Sequence, residues 1–335
     1  MNPGPSIDGV LVQWGERLFY PRTHMVKVAP PPHLAKGALH NHAAHIRQRI
    51  EAMVLRHAPQ VMVKVTGGGR GMAAIAAHFR YIAKAGRLPF EDDRGVAREG
   101  KDALQDLAEQ WRHGGSRIDE TSPRREAFNI MLSMPAGTDP LIVMKAVREF
   151  AQTELADHRY VMVLHDHQAN PHVHLSVRAE SRHGKRLNPR KADLHRWRET
   201  FADKLRGWGV EAEATRQATR GEQRRYATLW QVKAEQEGRL RKSHAESKSS
   251  DKAKANRTQA MLAWSHITQA LAGSDQPEDR RLAEAIVSYV RQMPHFVERQ
   301  RARQRGQGGQ RELPSILPVY IDTRNLARSG PEVQR

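Results

Sequence analysis

The stretch His165-Asp166-His167-Gln168-Ala169-Asn170-Pro171-His172-Val173-His174 decides how this chain is read. Before it, Tyr160-Val161-Met162-Val163-Leu164 is a short apolar, β-branched run. After it, His172 to Arg178 alternates polar and apolar residues at period two, the mark of a half-buried strand. The pattern predicts a β-hairpin. Successive side chains on a strand point to opposite faces, so His172, His174 and Ser176 share one face while Val173, Leu175 and Val177 enter a core. His165 ends the first strand and can sit opposite that pair. A lone His-x-His is usually a solvated pair, but a third histidine across a Pro-bearing turn makes a set that suits a divalent metal.

Working outward, Phe128, Ile130, Leu132 and Met134 alternate with Asn129, Met131 and Ser133, so a strand begins at Glu126 with Ser133 and Asn129 on the face away from the core. Asp139 and Pro140 then read as N-cap and first residue of a helix running to about Asp157, burying Ile142, Ala146, Phe150 and Leu155. Beyond the hairpin, Gly184 to Arg190 is a basic turn. Asp193 caps a helix whose inner face is Leu194, Trp197, Phe201, Leu205 and Trp208.

Upstream, Val61 to Val65 is a strand running into Thr66-Gly67-Gly68-Gly69-Arg70-Gly71 and then a helix from about Met72 to Ala85. A phosphate loop would need G-x-x-x-x-G-K-S/T, which is absent, so the glycines read as a tight turn that also lets a DNA backbone approach. Met72, Ile75, Phe79 and Ile82 form one apolar stripe. Tyr81 falls roughly 130° from the centre of that stripe at about 100° per residue. It is therefore displayed, either as an ordinary surface residue or as a phenol able to attack phosphorus. Arg80, Lys84 and Arg87 are near it, and Arg70, Arg80 and Lys84 are candidate DNA contacts.

The remaining segments bound the organisation. Residues 1 to 35 read as Pro-rich and irregular, with Pro30-Pro31-Pro32 an extended connector, and 36 to 57 as a basic, His-rich helix. Residues 91 to 125 read as a variable surface excursion with one helix near 99 to 111. Arg216, Arg220 and Arg224 suit phosphate contacts or a solvated charged face equally. From Tyr226 to 297 the composition predicts two or three helices with a break at Ser247 to Lys254. The Arg-rich segment 298–335 is too polar to fold alone.

Composition sets the class. A chain of 335 residues with 39% hydrophobic residues can bury a sizeable core and allows two domains. Lys and Arg number 55 against 37 Asp and Glu, a formal charge of +18, and the sequence pI is about 10.5. That excess favours a polyanion, nucleic acid first. With no cysteine, disulfides and thiolate sites are excluded, so any metal is held by His, Asp or Glu. No run of about eighteen apolar residues and no N-terminal signal is present, so a cytoplasmic protein without membrane insertion is expected.

Three segments, Val61 through Tyr81 to Gly86, Asn129 to Asp139, and His165 to His174, resemble in order the three motifs of plasmid relaxases. The similarity is greatest to the MOBP-type relaxases that include the T-DNA border endonucleases, within the HUH superfamily of single-strand nucleases. It covers roughly residues 58 to 225. The resemblance implies an α+β fold, an antiparallel β-sheet flanked by helices, here followed by a mainly helical C-terminal region. The expected organisation is 1–57 as an N-terminal extension, 58–225 as the relaxase domain, 226–297 as a helical region and 298–335 as a basic tail.

The same resemblance implies Tyr81 as nucleophile, Ser133 as a DNA-contacting serine, and His165, His172 and His174 as ligands of Mg2+ or Mn2+. It implies single-stranded origin-of-transfer DNA as substrate, relaxosome accessory proteins and a type IV secretion coupling protein as partners, and translocation with the transferred DNA. One position departs from the pattern. The family has His-x-Asp before Pro-His-x-His, whereas His167 stands at the aspartate's place and the acid is moved to Asp166, so either could serve as general base.

Two other classes remain open at this level. A non-catalytic DNA-binding mobilisation accessory would need the charge but not the histidines. A small-molecule metalloenzyme of the double-stranded β-helix type, which also uses His-x-His, would need more strands and leaves the pI of about 10.5 unexplained.

Overall fold

The computed structural model describes residues 6–20, 36–222, 238–239, 251–294 and 296–297. The proline triplet, Arg224 and the tail from residue 298 lie outside the described residues, as does the Ser247–Ser250 part of the expected break. In chain order the elements begin α1 (Ile7–Phe19), α2 (Lys36–Val54), β1 (Met62–Gly67), α3 (Met72–Ile82), β2 (Phe90–Asp92), β3 (Ala97–Arg98) and α4 (Lys101–His113). They continue with β4 (Ala127–Ser133), α5 (Pro140–Glu154), β5 (His158–His165), β6 (His172–Ser181), α6 (Lys191–Gly207), α7 (Asp251–Ala272) and α8 (Pro277–Arg291). The chain divides into two compact units, Arg56–Ala214 and a second made of Met1–Leu55 with Thr215–Arg335.

In the first unit all six strands form one sheet in the order β1-β4-β6-β5-β2-β3, antiparallel at each pairing. The period-two reading holds on both faces. Phe128, Ile130 and Leu132 of β4, Tyr160 and Met162 of β5, and Val173, Leu175 and Val177 of β6 pack under α5 and α6. Phe150, Trp197 and Phe201 fill that core completely, and burial of each contributes about 1.5–3 kcal/mol. The opposite face carries Val161 and Val163, which are covered by α3 and α4 through Met72, Ile75, Phe79, Leu104, Leu107 and Trp111.

α5 starts as expected, with the Asp139 carboxylate accepting from the Leu141 N–H at 2.8 Å. Several expectations are corrected. Residues 91 to 125 are not a surface excursion: β2 and β3 extend the sheet, and Leu104, Trp111 and Ile118 are core residues. α6 begins at Lys191, so Asp193 is not its cap but a first-turn carboxylate, accepting from the Arg190 N–H at 2.8 Å. Ile142 is only partly buried, because the apolar stripe of α5 runs through Val143, Ala146, Val147 and Phe150. Trp208 is 41% exposed. It lies past the last turn of α6, where its indole N–H donates to Glu149 at 2.9 Å and the Lys145 ammonium sits 4.6 Å from its ring.

In the second unit Ile7–Phe19, expected to be irregular, form α1. Ser6 caps it, and Leu11, Val12, Leu18 and Phe19 share a core with Ile46 and Ile50 of α2, Trp264 and Ile267 of α7, and Leu282 and Ile286 of α8. The N-terminal and C-terminal helices thus build one hydrophobic core. A Cβ at Gly15 of α1 would collide with Ile46, so the glycine lets α2 come close.

Candidate metal centre and nucleophile

The antiparallel register sets the histidines side by side. Met62, Ser133, His172 and His165 form one row across β1, β4, β6 and β5, and Lys64, Met131, His174 and Val163 form the next. These residues share the face opposite α5 and α6. The ring centroids of His165, His172 and His174 are 4.6, 5.0 and 5.1 Å apart in pairs. One ring nitrogen from each lies within 4.8 Å of the others.

Hydrogen bonds orient two of the three rings. His165 donates from Nε2 to the carbonyl of Ile82 at 2.7 Å, and His172 donates from Nδ1 to the carbonyl of Asn170 at 2.9 Å. A neutral imidazole has one N–H and one lone pair, so these bonds leave His165 Nδ1 and His172 Nε2 as acceptors. Burial lowers the His165 pKa against the opposing bond to Ile82, and His172, His167 and Lys84 push the same way. His174 is pushed down to about 3, first by burial and then by the neighbouring histidines. Neutral rings are what metal ligation needs. Three converging imidazoles, two with their outer nitrogens tied to carbonyls, fit a divalent ion.

Tyr81 stands in the last turn of α3 and is 57% exposed, as its position off the apolar stripe implies. Ile82, next in sequence, carries the carbonyl that holds His165, so the end of α3 is fastened to the histidine cluster. The chain leaves α3 through a single 3-10 turn, with Lys84 at φ 48° and Ala85 at φ 58°. Left-handed backbone at two consecutive non-glycine residues is strained and persists only where surrounding packing dictates it.

One site residue was missed at the level of sequence. His78 lies one turn before Tyr81 on α3, its ring 6.2 Å from the Tyr81 ring and 6.5 Å from that of His174. Burial pushes its pKa down to about 4. The signal was the His78-x-x-Tyr81 spacing, which places both side chains on one helix face.

The other expected residues fall as follows. Ser133 is 3% exposed, and its hydroxyl donates toward the Pro171 carbonyl at 3.3 Å. Asp166 and His167 are both exposed in the turn, and the His167 ring is 5.2 Å from that of His165. Arg70 and Arg80 are exposed in the same unit, and Arg70 also donates to the Pro123 carbonyl at 3.1 Å. Lys84 is half-buried. Arg216 and Arg220 belong to the helical unit, where Arg216 donates to the carbonyls of Leu18 and Arg17 and Arg220 to Thr215 Oγ1 at 2.6 Å.

The Gly-rich turn serves the fold. A Cβ at Gly68 would meet the Ala127 carbonyl, one at Gly69 would meet Ile75, and one at Gly71, whose φ is 96°, would meet the Glu120 carbonyl. These glycines let neighbouring parts of the chain pack closely, which accounts for them within the fold.

Residues 88–209 match the family model Relaxase: MobA/VirD2-like, nuclease domain. The T-DNA border endonuclease VirD2 of Agrobacterium fabrum is 25% identical over 208 residues, 54% of this chain and 46% of that protein. The chain thus spans about half the length of the curated relative. The matched relaxase nuclease segment holds all three cluster histidines and Ser133, and it begins after Tyr81. Among the described residues no helix is long and apolar enough to cross a membrane.

Proposed function

We propose that this chain is a site- and strand-specific DNA relaxase that nicks single-stranded plasmid DNA at an origin of transfer. The observation that carries this reading is the joining of two parts: an exposed phenol at the end of α3, and a three-histidine cluster of which one member, His165, is held by the carbonyl of the phenol's neighbour Ile82. The charge of +18 agrees with a polyanionic substrate.

In this reading Tyr81 Oη attacks the scissile phosphorus in line. The new O–P bond replaces the bond to the 3' oxygen, leaving a 5' phosphotyrosyl strand and a 3' hydroxyl. The phosphodiester energy stays in the covalent link, so reversal rejoins the ends without ATP. His167, whose ring stands beside that of His165, or Asp166 next to it in the turn receives the phenol proton. His165, His172 and His174 hold the cation, which when bound supplies Lewis-acid polarisation of the phosphate. Three nitrogen donors suit Mn2+ better than Mg2+, which prefers oxygen. Ser133 supports the Pro171–His172 backbone from below. Arg70, Arg80 and Lys84 supply salt-dependent DNA contacts. Accessory relaxosome proteins and a secretion coupling protein are the partners this role requires, in the cytoplasm and with passage of the protein alongside its DNA.

The test is incubation of the purified protein with a labelled single-stranded oligonucleotide from its cognate origin of transfer, with Mn2+, with Mg2+ and with EDTA, followed by a denaturing gel. The expected result is a metal-dependent protein–DNA adduct that vanishes in Tyr81→Phe. Intact binding without any adduct would favour a non-catalytic DNA-binding mobilisation accessory.

A further inference from the structure

The three cluster histidines are not equally supported. His165 and His172 each commit one ring nitrogen to a backbone carbonyl. The third, His174, has its Nδ1 buried with no hydrogen-bond partner. A metal-binding imidazole usually donates from its second nitrogen to a fixed acceptor, which sets the tautomer and the ring plane. By parity with the other two, Nδ1 is the outer nitrogen of His174 and Nε2 the one left for the ion.

One side chain close to His174 has the matching deficit. His78 Nε2 is also buried and without a partner. The two rings stand edge to face, 77° apart in plane, with centroids 6.5 Å apart. No direct bond joins the two nitrogens, and rings at this separation leave room for one bridging water between them. Both sites are polar and enclosed, which is where a buried water is retained. A buried polar nitrogen left unmatched is destabilising. Joining the two removes both deficits.

We propose that His78 is a positioning residue of the metal centre, fixing the tautomer and ring plane of His174 through a water-bridged hydrogen bond. It thereby does from α3 what the Ile82 and Asn170 carbonyls do for His165 and His172. Because Tyr81 is one turn further along the same helix, the nucleophile and the third ligand are set by one element. The inference rests on the reading that His165, His172 and His174 hold a metal.

The test has two readouts on the full-length protein. Long-range proton–nitrogen NMR of metal-free, 15N-histidine-labelled protein reports the tautomer of His174, assigned with His174→Gln. Mn2+ titration by calorimetry reports affinity. We expect one tautomer, with the proton on Nδ1, in the wild type, and a mixture in His78→Ala, together with Mn2+ binding weakened about 10–100-fold. His78→Gln, which keeps a polar group on a long side chain, should recover much of both, and its melting curve controls for folding. An unchanged His174 tautomer and unchanged Mn2+ affinity in His78→Ala would overturn the proposal. Wild-type protein that binds no Mn2+ would instead overturn the metal reading, while the tautomer readout would still decide whether His78 and His174 are joined.

Discussion

His165 donates its Nε2–H to the carbonyl of Ile82 at 2.7 Å, so one histidine of the cluster, at the end of β5, is tied to the residue that follows the exposed tyrosine of α3. A phenol and a metal cluster cooperate only if the distance between them is fixed, because misplacement by an ångström can lose a hundredfold in rate. The bond supplies that fixation without using a side chain of the helix. His165→Ala should then have two effects. Mn2+ affinity should fall more than tenfold, as calorimetry would read. Amide hydrogen exchange at Ala83 to Gly86 should accelerate, since the last turn of α3 loses its tether.

The strained turn after α3 gives a prediction of opposite sign. Ala85 sits at φ 58°, exposed, with its Cβ in the left-handed region that glycine occupies freely. Ala85→Gly should raise stability by up to about 1 kcal/mol in urea denaturation, relief of strain outweighing added freedom in the unfolded chain. Equal or lower stability would mean that packing around the turn overcomes the strain.

Acid should weaken the metal-free protein in a defined window. His78 and His174 have folded values of about 4 and about 3, below the ordinary 6.5, both chiefly through burial. The unfolded chain therefore binds protons first as pH falls, and stability drops from about pH 6.5 toward pH 4 to 3. The drop should be at least roughly 1.4 kcal/mol, the worth of one pKa unit. Urea midpoints measured in EDTA at pH 7.5 and 4.5 check it, and His174→Gln should flatten the dependence.

The cap of α5 offers a control away from the chemistry. The Asp139 carboxylate satisfies the Leu141 N–H, so Asp139→Ala should cost about 1 kcal/mol in the same denaturation. Mn2+ affinity should not move, because none of the three ligands is carried by α5. A large loss of affinity would show that the turn from Pro135 to Asp139 positions the cluster, where Asn170 already accepts from the Ala136 N–H at 3.0 Å.

What could be read without coordinates was whatever repeats at a fixed period. His172 and His174 had to share a face, Val173 and Leu175 had to be core, and Tyr81 had to leave the apolar stripe of its helix, because strand and helix geometry alone dictate those directions. The cap at Asp139 was legible for the same local reason. Elements whose stability comes from distant partners were not. The three-residue β2 and two-residue β3 have no period to detect and exist by pairing, β2 onto β5 and β3 onto β2. Arg178, mid-strand in β6, is buried because its guanidinium donates to the carbonyls of Trp111 and Ser116, partners far away along the chain.

The same division runs through the site. The three-histidine set follows from local geometry, since a two-residue spacing on one strand and a hairpin turn bring those side chains to one face. What needed the assembled fold was that the Ile82 carbonyl holds His165, that the glycines of the first turn admit neighbouring parts of the chain, and that His78 lies beside His174. Those relations depend on how α3 lies across the sheet, and that placement is set by burial of Met72, Ile75, Phe79 and Ile82 against Val161 and Val163. Hydrophobic burial is non-directional, so a stripe of apolar residues states that a helix packs and leaves to the assembled core which residues it meets.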